Sequence, residues 1–264
     1  MSIYLSHNHK MLKSAGRYIG WVRNNLPPLG ANSIRVKWKK GESPKYTDPN
    51  EWHDCVRGAV SITCVDPVDN IYDITFAGTD LSSAFAAGAD LDGDRLIEIL
   101  EGNIQNVSRL TYLCAEQVSL KSVSNLHTSS NLRECMSMFL MCSSLTQVPL
   151  FDTSEVEVFS TMFRGCTSLR SVPVYDTSNG FDLSLMFDDC HSLETIPQLP
   201  TGSARDVLGI FSDCYKASTG ILSMYNQMST QSTPPSKYTQ AFKNCGRDSV
   251  TGSAELAQIP SSWK

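Results

Sequence analysis

The acidic residues between positions 90 and 101 are the first candidates for chemistry in this sequence. Asp90, Asp92, Asp94 and Glu101 occupy positions 1, 3, 5 and 12 of a calcium-binding loop of the EF-hand type. Position 6 of such a loop requires Gly for a sharp turn, and Arg95 stands there instead. We therefore predict an acidic surface loop and no metal site.

Two further groups contain the residue types of a metal site or an activated nucleophile. His7 and His9 have no nearby cysteine or carboxylate that would complete tetrahedral ligation. His53, Asp54 and Cys55 are adjacent in sequence, but catalytic groups act together only where the fold makes them face one another. The sequence contains no G-x-S-x-G, P-loop or G-x-G-x-x-G motif. We predict neither an enzyme nor a cofactor.

The composition is that of a globular chain with a slight acidic excess. Of its 264 residues 41% are hydrophobic and 19% charged, and 22 Lys and Arg oppose 27 Asp and Glu. This balance argues against nucleic-acid binding and against docking on anionic lipid, which both need clustered positive charge. The N-terminus lacks the apolar stretch of a secretory signal, and the uncharged run 136–151 contains polar residues and a proline. We expect neither a standard secretory signal nor membrane insertion.

An internal repeat of 24 residues dominates the second half of the chain. The segments MFLMCSSLTQVPLFDTS, MFRGCTSLRSVPVYDTS and MFDDCHSLETIPQLPTG begin at Met138, Met162 and Met186. A unit of this length cannot bury its own apolar side, so neighbouring copies must stack. Within each copy we predict a short strand at L-x-x-V-P, a turn at D-T-S and a short helical return. The helical return is predicted from the spacing of residues such as Val156, Phe159 and Met162.

Two columns of residues recur at this period and identify the predicted interior. They are Phe139, Phe163, Phe187 and Phe211, and Cys142, Cys166, Cys190 and Cys214. We expect the cysteines to be free, buried thiols, because small apolar side chains fit inside stacked turns.

The repeat pattern MF-x-x-C-x-S-L-x-x-V-P-x-[FY]-D-T-S resembles the BspA-type leucine-rich repeat over about residues 81–264. The resemblance implies an α/β leucine-rich-repeat solenoid of about six coils, with short parallel strands and short helices or 3-10 turns. Residues 225–236 and 254–263 resemble the closing stretches of tail-fibre and receptor-binding proteins of gut bacteriophages and prophages. We expect a helix after the copy that opens at Ile210.

Residues 1–80 lack the repeat and are predicted to form a small β-rich module before a repeat domain over 81–264. Ser33–Lys40 alternates apolar and basic residues, which predicts a half-buried edge strand with Arg35 and Lys37 on the solvated face. A helix is predicted around Lys10–Asn24, ahead of a Pro-Pro-Leu-Gly turn. In a virion protein this segment would anchor the chain to the particle.

The candidate binding face consists of repeat positions at which the residue type varies from copy to copy. Its members are Gln147, Leu150, Ser171, Val174, Thr195 and Gln198. Variable outward positions over constant anchors are typical of an extended contact surface. Phe151 and Tyr175 are predicted to belong to the core because the equivalent positions stay apolar.

These observations and the resemblance together predict a non-enzymatic attachment protein. The favoured setting is a phage tail or tail fibre, assembled in the host cytoplasm, that binds a protein or glycan on the host surface and contacts other virion proteins. A bacterial surface or secreted adhesin is the alternative, and a structural virion component without a receptor role is a third. The oligomeric state, a homo-oligomer included, stays open.

Overall fold

The computed structural model describes residues 9–14, 17–23, 26–46, 55–87 and 94–264. Within these residues the chain forms ten strands, two α-helices and one 3-10 turn. The strands are β1 (His9–Ser14), β2 (Arg17–Arg23), β3 (Ser33–Trp38), β4 (Lys45–Tyr46), β5 (Cys55–Val56), β6 (Ala59–Asp66), β7 (Ile71–Phe76), β8 (Leu96–Asn103), β9 (Ser122–Val123) and β10 (Leu126–His127). The helices are α1 (Ile221–Thr230) and α2 (Val250–Ala257), and the 3-10 turn is Ser261–Trp263.

A mixed six-stranded sheet is the largest regular element among the described residues. Its main path runs in the order β10-β8-β3-β7-β6, and β9 also pairs with β8. The pairs β3–β7, β3–β8 and β6–β7 are antiparallel, whereas β9 and β10 run parallel to β8. The sheet thus joins residues on both sides of position 80, and the domain boundary predicted there stays a prediction.

The predicted strand at Ser33 is confirmed, but the prediction that it forms an edge is wrong. β3 lies between β7 and β8, so both of its sides are paired. Arg35 is buried, and its Nε and Nη2 donate to the Asp73 carboxylate at 2.6 and 2.7 Å. An arginine is accommodated in this interior position because a carboxylate on the neighbouring strand neutralises it.

The predicted leucine-rich-repeat solenoid with helical returns is wrong. The described residues form a mixed β-sheet with only two short helices, and none of the residues 94–219 is helical. The segment expected to return as a helix contains left-handed residues, Thr161 (φ 55°) and Gly165 (φ 73°). Leu185 (φ 55°) and Asp189 (φ 60°) repeat this conformation one copy later. A right-handed helix cannot include such residues, and the copies form consecutive tight turns instead.

Every second backbone N–H group of these turns donates to the next copy along the chain, and those between them donate within the same copy. The N–H groups of Phe139, Phe163 and Phe187 donate to the carbonyls of Met162, Met186 and Ile210 at 2.9 Å. Parallel bridges connect Glu134, Val158, Asp182 and Asp206 in sequence order. The copies are therefore held in register by bonds between neighbours, where a helix would have bonded within itself.

The helix predicted around Lys10–Asn24 is also absent. β1 and β2 pair as antiparallel strands there, with His9 opposite Arg23. Tyr18, Ile19, Trp21 and Val22 are residue types that favour strands, and glycine within the segment disfavours a helix. The helix expected after Ile210 is confirmed as α1.

A continuous apolar core runs through the repeat copies. The rings of Phe139, Phe163, Phe187, Phe211 and Phe242 stack one on the next, with centroids 5.4 to 5.8 Å apart, and Trp263 closes the stack. The four predicted cysteines are free and buried. Their thiols donate to backbone carbonyls at 3.0 to 3.2 Å, for example Cys166 Sγ to Phe139 O. Phe151 and Tyr175 are core residues, as predicted.

Candidate binding surfaces

Five of the six residues of the predicted binding face are exposed. We call Gln147, Leu150, Ser171, Val174 and Thr195 the outward row. Leu150 and Val174 stand out because their relative exposures are 63% and 56%, although both are aliphatic. Each of them precedes a buried aromatic residue in the chain, so the backbone beneath the row is anchored in the core.

The aliphatic part of the outward row is flanked by negative charge. Leu150 and Val174 line a shallow depression of about 430 Å³ together with Asp152 and Asp176. The Ser178 hydroxyl and the Ser178 backbone N–H (3.0 Å) hydrogen-bond Asp176 and hold the pKa of its carboxyl below the ordinary value. This depression therefore presents apolar surface beside an ionised carboxylate at neutral pH.

Gln198, the sixth predicted residue, differs from the others. It is half-buried, and its amide Nε2 donates to the carbonyls of Ile196 (3.0 Å) and Gly220 (3.1 Å). Because these bonds tie it to the start of α1, Gln198 closes the end of the row and offers no free amide N–H pair to a partner.

A second surface, which the sequence analysis did not find, lies across three consecutive copies. We call this cleft of about 350 Å³ the Phe181 cleft, and it is lined by Glu155, Glu157, Asn179, Phe181, Ser203 and Arg205. Phe181 is 41% exposed, in contrast to the stacked phenylalanines of the core. The 24-residue spacing of Glu157, Phe181 and Arg205 was a signal in the sequence, but the three differ too much in type to suggest a shared position.

Three carboxylates, those of Asp188, Asp189 and Asp213, approach one another near the cysteine column. Arg164 Nε donates to Asp188 at 2.9 Å, and Asn244 Nδ2 donates to Asp213 at 2.8 Å. Burial raises the pKa of Asp188, and the charge of Asp189 raises it further. His191 Nε2 lies 3.4 Å from Asp189 Oδ1, so each of the three carboxylates has a partner within the protein, and we assign the cluster no ligand.

The residues that the sequence analysis considered for chemistry are only partly described. His7, His53, Asp54, Asp90 and Asp92 lie outside the described residues, as do the side chains of His9 and Cys55. Of the calcium-like loop, Asp94 accepts a hydrogen bond from Lys39, and Glu101 lies 3.7 Å from Arg35. Among the described residues, no helix has the length and apolar character needed to cross a membrane.

Most of the repeat region of this chain matches a known protein family. A family model described as "Mycoplasma protein of unknown function, DUF285" matches residues 79–198 and, in a second match, residues 134–246. Together the two matches span more than half of the chain. The chain belongs to the DUF285 family. The DUF285 matches include the repeat copies, the outward row and the Phe181 cleft. No curated protein and no solved structure matches the sequence.

Proposed function

We propose that this chain is a non-enzymatic attachment protein that binds a partner on a cell surface through the outward row. The observation that carries the proposal is the exposure of Leu150 and Val174, at 63% and 56%, on a backbone fixed by the buried Phe151 and Tyr175. Exposed aliphatic residues that lie side by side on an otherwise polar surface are typical of contact sites. A rigid backbone beneath them lowers the entropic cost of binding.

The setting we propose is a phage tail or tail fibre that recognises a host-surface protein or glycan, and that also contacts other virion proteins. The resemblance of the repeat and of residues 225–236 to such proteins supports this setting. A bacterial surface adhesin would use the same row for the same purpose, so the test below addresses the row itself.

The test is binding of the full chain to intact cells after four charges are placed on the row. In the row variant Gln147, Ser171, Val174 and Thr195 are each changed to Glu. These side chains are exposed, so we expect the free energy of unfolding to change by no more than about 1 kcal/mol. We expect cell binding to be lost because a desolvated contact does not tolerate unpaired charge.

A matched control carries the same number of added charges elsewhere. It changes four exposed valines to Glu: Val60, Val68, Val118 and Val250. We expect this control to bind cells as the wild type does. Full binding by the folded row variant would refute the role of the outward row.

A further inference from the structure

We propose that the Phe181 cleft is a saccharide-binding site, separate from the outward row and independent of whether that row mediates attachment. The site lies on consecutive copies at one repeat position, which Glu157, Phe181 and Arg205 share. The N–H of Phe181 donates to the Glu157 carbonyl, and the N–H of Arg205 donates to the Phe181 carbonyl, both at 3.0 Å. Neighbouring side chains are therefore spaced as on adjacent strands, about 4.8 Å apart.

Two of the three charged side chains of the cleft are unpaired, whereas Glu155 lies 4.0 Å from Arg133. Among the described residues, neither the Glu157 carboxylate nor the Arg205 guanidinium has an ion-pair or hydrogen-bond partner. Elsewhere on the copies opposite charges in adjacent positions do pair, as Arg170 and Glu194 do at 3.0 Å. In the cleft the Phe181 residue lies between Glu157 and Arg205, whose backbones are two copies, about 10 Å, apart. Both charges thus stay available on either side of an exposed ring.

This combination matches the chemistry of a pyranose sugar. One face of such a ring is lined by C–H groups and can cover the Phe181 ring, while its rim carries hydroxyls that both donate and accept. Glu155 and Glu157 supply acceptors, and Arg205 supplies donors, on opposite sides of the aromatic ring. An apolar ligand would leave these charges desolvated and unpaired, which is unfavourable. A polyanion would be repelled by the carboxylates of Glu155 and Glu157.

The cleft also has room for more than one sugar unit. A neighbouring depression of about 390 Å³ shares Ser203 and Arg205 with it and continues to Thr233, Pro234 and Ser236. The two depressions together cross four copies of the repeat. We therefore assign the site to a short stretch of an oligosaccharide that runs along the stack of copies.

The experiment measures binding of the full chain to an array of immobilised oligosaccharides built from neutral hexoses, N-acetylhexosamines and uronic acids. We expect the wild type to bind at least one of them, and Phe181→Ala to weaken that binding about tenfold or more, as loss of a central aromatic contact does. Phe181→Tyr keeps the ring and should retain binding. Glu157→Gln should weaken it because a carboxylate accepts hydrogen bonds more strongly than an amide does.

The matched control is Tyr112→Ala, since Tyr112 is an aromatic residue of similar exposure (39%) outside the cleft. We expect it to bind as the wild type does. The proposal is overturned if the wild type binds no saccharide on the array, or if Phe181→Ala binds as well as the wild type. It is also overturned if the outward-row variant loses saccharide binding while Phe181→Ala keeps it. None of these results depends on binding to cells, so the attachment proposal is judged separately.

Discussion

For the substitution Gly252→Ala, helix propensity predicts a gain in stability, whereas tertiary packing predicts a loss. Gly252 is the third residue of α2, where alanine is favoured over glycine by about 1 kcal/mol. A Cβ atom at this position, however, would overlap the Ala217 carbonyl oxygen and would lie 2.8 Å from Gly246 Cα. Both obstacles are backbone atoms, so no side-chain rotation can relieve the contact. α2 would have to move away from the copy beneath it.

The expected cost follows from these contacts. Overpacking against well-packed surroundings costs about 1–3 kcal/mol, and a backbone obstacle places this variant at the upper end. Displacement of α2 also strains its N-cap, where the Gly252 N–H donates to Ser249 Oγ at 3.2 Å. After subtraction of the gain in helix propensity, we expect Gly252→Ala to lose about 2 kcal/mol in the free energy of unfolding.

The assay is urea unfolding followed by far-UV circular dichroism. Gly202→Ala is the matched control, because a Cβ there meets nothing within 4 Å. It should raise stability by about 0.4–1 kcal/mol through its effect on the unfolded chain. If Gly252→Ala were as stable as the wild type or more stable, the close packing of α2 against Ala217 would be refuted.

Two further predictions concern the buried columns of the repeat. Phe187→Ala should cost about 3–5 kcal/mol, because its ring is fully buried between Phe163 and Phe211 at 5.4 and 5.5 Å; urea unfolding measures this, and a cost as small as that of the exposed Phe181→Ala would contradict the stack. Alkaline pH should destabilise the protein, because burial raises the pKa of six thiols, those of Cys114, Cys135, Cys142, Cys166, Cys190 and Cys214. The unfolded thiols ionise near pH ~8.5, so above that pH the unfolded state binds fewer protons and stability falls by about 1.4 kcal/mol per thiol per pH unit, until the folded pKa is reached. Unfolding midpoints between pH 7 and 10 measure how steeply stability falls with pH. Cys142→Ala should make this fall less steep by about 1.4 kcal/mol per pH unit, the contribution of one thiol. A flat profile would refute the buried thiols.

The sequence by itself determined which side chains are interior in the repeat. Where Phe or Cys recurs at every twenty-fourth residue, each side chain must pack against the same residue type in the next copy. The stacked rings and the column of buried thiols are the consequence. The same logic correctly assigned Phe151 and Tyr175 to the core. These features depend on the period and on residue type, and the sequence displays both directly.

Only the tertiary structure decided how the backbone of each copy is bonded. The spacing of Val156, Phe159 and Met162 is equally compatible with a helix and with consecutive tight turns, because both bring every third or fourth residue to one side. In the turns every second N–H donates to a carbonyl 23 residues away, as Phe139 does to Met162, whereas in a helix all of these bonds would be local. A partner so distant in sequence leaves no local signature.

The contacts of individual side chains also depend on residues that are distant in the sequence. Arg35 is buried because Asp73 lies across from it, and Gln198 is tied down because the carbonyl of Gly220 lies beside it. Phe181 is exposed even though it follows the buried Gly180 directly in the chain. Residue type sets what each of these groups can bond, whereas the packing of distant segments decides which bonds it makes and which groups are left free to bind a partner.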